Sequence, residues 1–132
     1  MRNPNDPCLF CNIKVIRSNH ENDLAYASYD SYPVSKLHCL IITKRHIKDY
    51  FDLTKEELIA CNSLVRIVKD EILKKDETVK GFNLGTNIGK VSGQSIMHCH
   101  FHLIPRRDGD VENPQGGVRS VIPKKQHYNR EI

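Results

Sequence analysis

Gly93-Gln94-Ser95-Ile96-Met97-His98-Cys99-His100-Phe101-His102-Leu103-Ile104-Pro105-Arg106 is the stretch whose reading decides the fold. Three of the chain's seven histidines fall here at every second position, His98, His100 and His102. The residues between and after them, Cys99, Phe101 and Leu103, are apolar. On a β-strand successive side chains point to opposite faces. The apolar set then faces a core, and three imidazoles line the other face in a row. A helix, with about 3.6 residues per turn, would scatter the same positions around its circumference. Pro105 removes a ladder donor and is expected to help end the strand. A row of imidazoles on a covered sheet face calls for a use: a metal, a phosphate or a nucleophile. The binuclear-hydrolase pattern His-x-His-x-Asp-His fits poorly, because Leu103 and Ile104 follow His102.

Around this strand the chain reads as alternating strands and one long helix. Leu24 to Tyr29 is expected as a strand, with Asp30-Ser31-Tyr32-Pro33 as the turn after it. Lys36 to Thr43 follows as a second strand, nearly continuous in apolar residues and so central. His38 on it can face the histidine row or be a satisfied polar residue of the sheet. Thr54 and Glu57 form a capping box at a helix start, with Leu53 placed to staple to Leu58. Leu58, Cys61, Val65, Val68 and Ile72 continue from there as one apolar stripe. Lys80 to Asn87 reads as a third strand. A glycine-containing loop, Asn87 to Gly93, then delivers Gln94 and Ser95 beside the imidazoles.

Cys8-Leu9-Phe10-Cys11 is a C-x-x-C with three open readings. A thioredoxin-like redox pair should follow a strand, and nothing strand-like precedes it. Two zinc ligands need two more from elsewhere. Two packed thiols need nothing further. The tail, from Arg106 through Gly116-Gly117-Val118-Arg119 to Lys125, is basic and punctuated by Gly and Pro. It reads either as a solvated terminus or as a segment that wraps the site, with Arg119 reaching a substrate phosphate.

Composition bounds the rest. The length of 132 residues suits one domain with a real core. The net charge of +4 suits an anionic small molecule and falls short of a nucleic-acid coat. The basic patches lack the aromatic interleaving of a single-strand binder, and no zinc-finger spacing is present. Residues 1–7 contain no apolar run, so no signal peptide is expected. The apolar segments are too short to span a bilayer. Five cysteines, an odd number, suit a reducing compartment, with the cytoplasm as default.

The run His98 to Ile104 resembles the signature of the histidine-triad (HIT) family, His-φ-His-φ-His-φ-φ, at every position. Asn87, Gln94, Ser95 and the Arg45-His46-Ile47 segment agree with it, and the resemblance extends from about Cys8 to Arg107. It implies an α+β fold: an antiparallel sheet of about five strands with one long amphipathic helix packed on it. It further implies a single domain over 1–132, with a zinc-anchored N-terminal segment (1–20) and a basic C-terminal extension (106–132). By resemblance, Cys8, Cys11, His46 and His98 bind one structural zinc ion. His100 is then the nucleophile that attacks an α-phosphorus and forms a covalent nucleotidyl-histidine. Gln94, Ser95 and His102 stabilise the developing charge, and His38 helps orient them. Asn87 touches phosphate or ribose. Asp30 accepts from ribose hydroxyls, or is simply a turn residue.

The substrate implied is a nucleotide conjugate with adenosine favoured, first a dinucleoside polyphosphate. The alternatives are a nucleoside phosphoramidate, nucleotidyl or phosphorolytic transfer, and a nucleotide-binding regulator with little turnover. The HIT branch that splits phosphoramidates does not carry the C-terminal extension, which weighs against that activity as the main one. Homodimerisation is a family expectation.

Overall fold

The structure, a computed structural model, describes residues 8–12 and 18–129. The remainder of the expected N-terminal segment and of the tail, residues 1–7, 13–17 and 130–132, lies outside the described residues. The described strands are β1 (His20–Glu21), β2 (Ala25–Tyr29), β3 (Cys39–Thr43), β4 (Val79–Gly85) and β5 (His100–Arg107). The helix α1 runs Lys55–Lys75 between β3 and β4. All strand pairs are antiparallel, in the order β1-β2-β3-β5-β4. The α+β architecture that the family resemblance implies is the one observed. The two-residue β1 carried no readable pattern of its own.

The helix starts as its sequence dictates. Thr54 Oγ1 accepts from the Glu57 amide, and Glu57 Oε1 accepts from the Thr54 amide, closing the capping box. Its buried stripe keeps Cys61, Val68 and Ile72 of the expected one and differs at two positions, with Glu57 and Leu64 in place of Leu58 and Val65. Cys61, Leu64, Val68 and Ile72 are buried, whereas Leu58 is 40% exposed. Glu57 takes the inward place at the first turn and is held there by Arg45. Leu64, Val68 and Ile72 pack on Ala25, Ala27, Cys39, Ile41 and Leu103 of the sheet. Full burial of each aliphatic side chain contributes about 1.5–3 kcal/mol.

β3 is apolar on both faces because both faces are covered. Cys39 and Ile41 meet the helix, whereas Leu40 and Ile42 lie under Phe10 of the C-x-x-C turn. This strand begins at Cys39 and not at Lys36. Leu37 has φ +74°, a left-handed conformation that interrupts the extended run immediately before His38. Likewise β4 ends at Gly85, leaving Asn87 in the following loop.

β5 pairs Leu40 with His102 and Ile42 with His100, so these imidazoles share the face of Leu40 and Ile42. Phe101 and Leu103 join the helix side. Two expectations for this strand are corrected. His98 precedes the strand, and the chain there is tied to the loop after β3 by the Cys99 amide on the Ile47 carbonyl (2.8 Å). Pro105 does not end the strand, which continues to Arg107. The N and C=O of a strand residue point the same way, and the Pro105 carbonyl accepts from Ser35 Oγ (2.7 Å), on the side where β3 has already ended. The missing donor therefore costs no ladder bond.

Candidate active site and metal centre

Four side chains of dispersed origin meet at the N-terminal turn. The ligand atoms of Cys8, Cys11, His46 and His98 all lie within 4.8 Å of one another. His98 is fully buried, and its Nε2 donates to the Thr43 carbonyl at 2.7 Å. Its Nδ1 lone pair is left facing Cys8 Sγ (3.4 Å), Cys11 Sγ (3.5 Å) and His46 Nδ1 (3.1 Å). Two sulfurs and two imidazole nitrogens at these separations match the edges of a closed tetrahedral site. The donation to Thr43 supplies the outer hydrogen bond that metal-ligating histidines ordinarily make. The residues present fit a zinc ion.

The other three cysteines belong to a different class. Burial pushes the Cys39, Cys61 and Cys99 thiols up to about 12, so they are protonated packing groups.

Next to this cluster stands His100, 8% exposed. Its Nδ1 donates to the His98 carbonyl at 2.7 Å, which leaves the Nε2 lone pair free to react. Burial lowers the His100 pKa, keeping the ring neutral. Phe10, between the two cysteines, sets its ring edge-on against His100 with centroids 4.8 Å apart. The Tyr26 hydroxyl donates to the Phe10 carbonyl and pins that turn. Nothing in the spacing marked Phe10 as more than the filling of a C-x-x-C.

His102 and His38 form a second pair. The Val34 amide donates to His38 Nδ1 (3.1 Å), so the His38 proton sits on Nε2. That nitrogen lies 2.9 Å from His102 Nδ1 and 3.6 Å from Asp30 Oδ2. His102 therefore accepts at Nδ1 and carries its own proton on Nε2. Burial, reinforced by the neighbouring His100 and His38, pushes His102 down to about 4. Burial also lowers His38, with Asp30 opposing it. All three rings are neutral at physiological pH.

A cavity of about 810 Å³ opens over His100 and His102, with Leu9, Phe10, Asp30 and Ser95 in its walls. Asp30 and Asn87 line this same cavity. Asp30 also holds its own turn, since its Oδ1 accepts from the Tyr32 amide (2.8 Å). Two expected site residues are used elsewhere. Gln94 is 3% exposed, and its amide bonds the Gly89 amide and the Lys48 and Ile96 carbonyls. It braces the loop, and both of its side-chain N–H donors are taken, leaving none for a substrate oxygen. Arg119 donates to the Lys125 and Gln126 carbonyls and lies over the Tyr128 ring. Its guanidinium serves the tail and is absent from the walls of this cavity.

Arg45 and Glu57 complete the frame. The guanidinium makes a bidentate contact to the carboxylate at 2.7 and 3.0 Å, and this hydrogen bonding holds the Glu57 pKa below the ordinary carboxylate range. The pair ties the His46 loop to the start of α1.

Comparison with known proteins agrees with this fold. The HIT domain family model matches residues 17–109. An uncharacterized HIT-like protein of Methanocaldococcus jannaschii is 36% identical over 123 residues, covering 86% of this chain and 91% of that protein. The adenylylsulfatase HINT3 of Arabidopsis thaliana is 34% identical over 109 residues, 78% of this chain and 54% of that one. Among solved structures, a hypothetical histidine-triad nucleotide-binding protein of Sulfolobus tokodaii superposes with a TM-score of 0.70 at 34% identity, covering 77% of this chain and 70% of the other.

Proposed function

The chain belongs to the HIT domain family, and from that premise we propose that it is a nucleotide hydrolase acting at the α-phosphate of an adenosine nucleotide conjugate through a covalent nucleotidyl-histidine on His100. The observation that carries this reading is the bond from His100 Nδ1 to the His98 carbonyl, which leaves a neutral ring with its Nε2 lone pair available beside the cavity. His100 Nε2 attacks phosphorus, and the bond from phosphorus to the leaving group breaks with its electron pair going to that group. The leaving group takes a proton from solvent. His102 Nε2–H donates a hydrogen bond to a non-bridging oxygen and keeps its proton, and Ser95 is a further donor there. Water then bonds to phosphorus and releases its proton to solvent. The nitrogen–phosphorus bond breaks, and the mononucleotide leaves. Asp30 and Asn87 hold the sugar and phosphate.

Cys8, Cys11, His46 and His98 would hold a structural zinc, which when bound fixes the Cys8–Cys11 turn against the sheet. Two protomers are expected to pair. The open edge strand β4 and the exposed Phe51 (77%) and Leu84 (50%) support that expectation. The thiol content supports a cytoplasmic site of action, and no described helix is long and apolar enough to cross a membrane. A dinucleoside polyphosphate would draw support from a basic tail free to hold its extra phosphates. Arg106, Arg107 and Arg119 each bond within the chain, so the tail's arginines do not supply that support.

Intact-protein mass spectrometry after mixing with adenosine phosphoramidate or diadenosine tetraphosphate, quenched with base, tests the mechanism. One adenylyl adduct on the protein, absent in His100→Asn, is the expected result. Nucleotide binding with neither adduct nor mononucleotide release would favour a regulator that binds without turnover. An adduct discharged faster onto an added phosphate acceptor than onto water would favour transfer.

A further inference from the structure

The catalytic face carries a second cavity, about 740 Å³, which meets the first at Asn87 and His102. Its floor is the sheet, with Asn83 and Ile104 prominent, and its opposite wall is the tail, through Val111, Val118 and Val121. That wall is a built feature. Arg119 bonds the carbonyls of Lys125 and Gln126 (2.8 and 3.2 Å), and Gln126 Nε2 donates to the Gln115 carbonyl (3.3 Å). A Cβ on Gly116 would sit 2.1 Å from the Gln126 carbonyl oxygen, and its φ of +92° is left-handed, so only glycine closes this loop.

The charge of the cavity is informative. Among its described lining residues Arg106 is the one fixed cation, and its guanidinium is taken by Asp110 at 2.7 and 2.9 Å and by Asn83 at 2.7 Å. Asp110 and Glu112 contribute negative charge. Nothing in this lining would neutralise a chain of phosphates. Valines and Ile104, with the amide of Asn113 at the rim, suit a different occupant.

We propose that this second cavity receives the leaving group of the substrate, and that it selects an uncharged, partly apolar group over a polyphosphate chain. The proposal rests on the nucleotide reading of the first cavity. A nucleotide whose α-phosphorus lies at His100 then sends its departing substituent past His102, one of the two residues both cavities share. Arg119 is a positioning residue for the tail wall and touches no substrate.

The test is calorimetric binding to His100→Asn, which cannot turn over, of three probes: the methyl ester of AMP, its phenyl ester of equal charge, and diadenosine tetraphosphate. The phenyl ester is expected to bind about 10-fold tighter than the methyl ester, in line with burial of one aromatic ring. The tetraphosphate should bind no tighter than the phenyl ester. Val121 is 74% exposed, so Val121→Lys in the same background should fold and place a free cation in the wall. It should erase the phenyl gain and tighten the tetraphosphate several-fold. Arg119→Ala should lose the phenyl gain, leave methyl-ester affinity unchanged, and speed amide hydrogen exchange in 115–128. A phenyl ester no tighter than the methyl ester, or a tetraphosphate tighter than both, would overturn the proposal alone. Failure of the methyl ester to bind would overturn the nucleotide reading, and this proposal with it.

Discussion

His38 Nε2 lies 2.9 Å from His102 Nδ1, and the Val34 amide occupies the other nitrogen of His38. One backbone N–H thereby sets the tautomer of two imidazoles in series. The chain turns into this geometry through Leu37, the one non-glycine residue with positive φ among those described. Such a backbone costs on the order of 1–3 kcal/mol and is kept where the surroundings demand it.

Removing this relay should act on the chemical step. His38→Ala is expected to lower kcat about 100-fold, the scale of one lost charge-stabilising donor, with KM little changed. His38→Gln, whose amide can accept from Val34 and donate to His102, should recover part of the loss. Steady-state kinetics on the two variants check this, and an equal loss in both would reject the tautomer argument.

The pH dependence follows from the lowered imidazole pKa values. His102 is neutral in the fold down to about pH 4, whereas in the unfolded chain it protonates near 6.5. Between those values the unfolded state binds more protons, so stability is fully present above pH 6.5 and is lost as pH falls through 4. The melting temperature should decline across that window, and His102→Asn should flatten the decline. Turnover should persist below pH 6.5, because burial also lowers His100.

The cysteines should divide by metal content. Cys11→Ser is expected to reduce zinc from about one equivalent per chain to near zero and to lower the melting temperature. Cys61→Ser, in the helix–sheet core, should retain the metal. Elemental analysis with thermal melts reads both. Full metal content in Cys11→Ser would remove that residue from the ligand set.

Glu57→Ala removes the Arg45 pair and half of the capping box together. Arg45 is half exposed and regains water, so the expected cost is about 2 kcal/mol, below that of breaking a fully buried pair. Urea denaturation measures it. Zinc affinity should weaken as well, because Arg45 holds the loop that carries His46.

Much of the fold was legible. Alternation at Cys99 to Leu103 assigned the faces of β5, and Thr54 with Glu57 marked the helix start, because both signals depend on neighbours within a few residues. Cys61, Val68 and Ile72 of the expected stripe of α1 are buried, while Glu57 and Leu64 take the places expected of Leu58 and Val65, because adjacent positions on a helix are equivalent until the sheet decides which is covered. Leu37 and Pro105 misled for a related reason. A left-handed residue within an apolar run, and a proline whose missing donor faces no strand, look like ordinary strand interior and ordinary strand end.

The sequence by itself determined the strand, the capped helix, the residue types of the chemistry and, through the HIT signature, their family. Side-chain periodicity and capping are local, so the chain carries them wherever it folds. Only the tertiary structure decided what each polar atom is bonded to. It saturates Gln94 inside a loop, takes Arg119 into the tail, brings Phe10 against His100 and leaves Nδ1 of His98 facing two sulfurs. These are contacts between residues far apart in the chain, and burial makes each partner obligatory, because a buried polar group left unbonded costs more than its bond contributes.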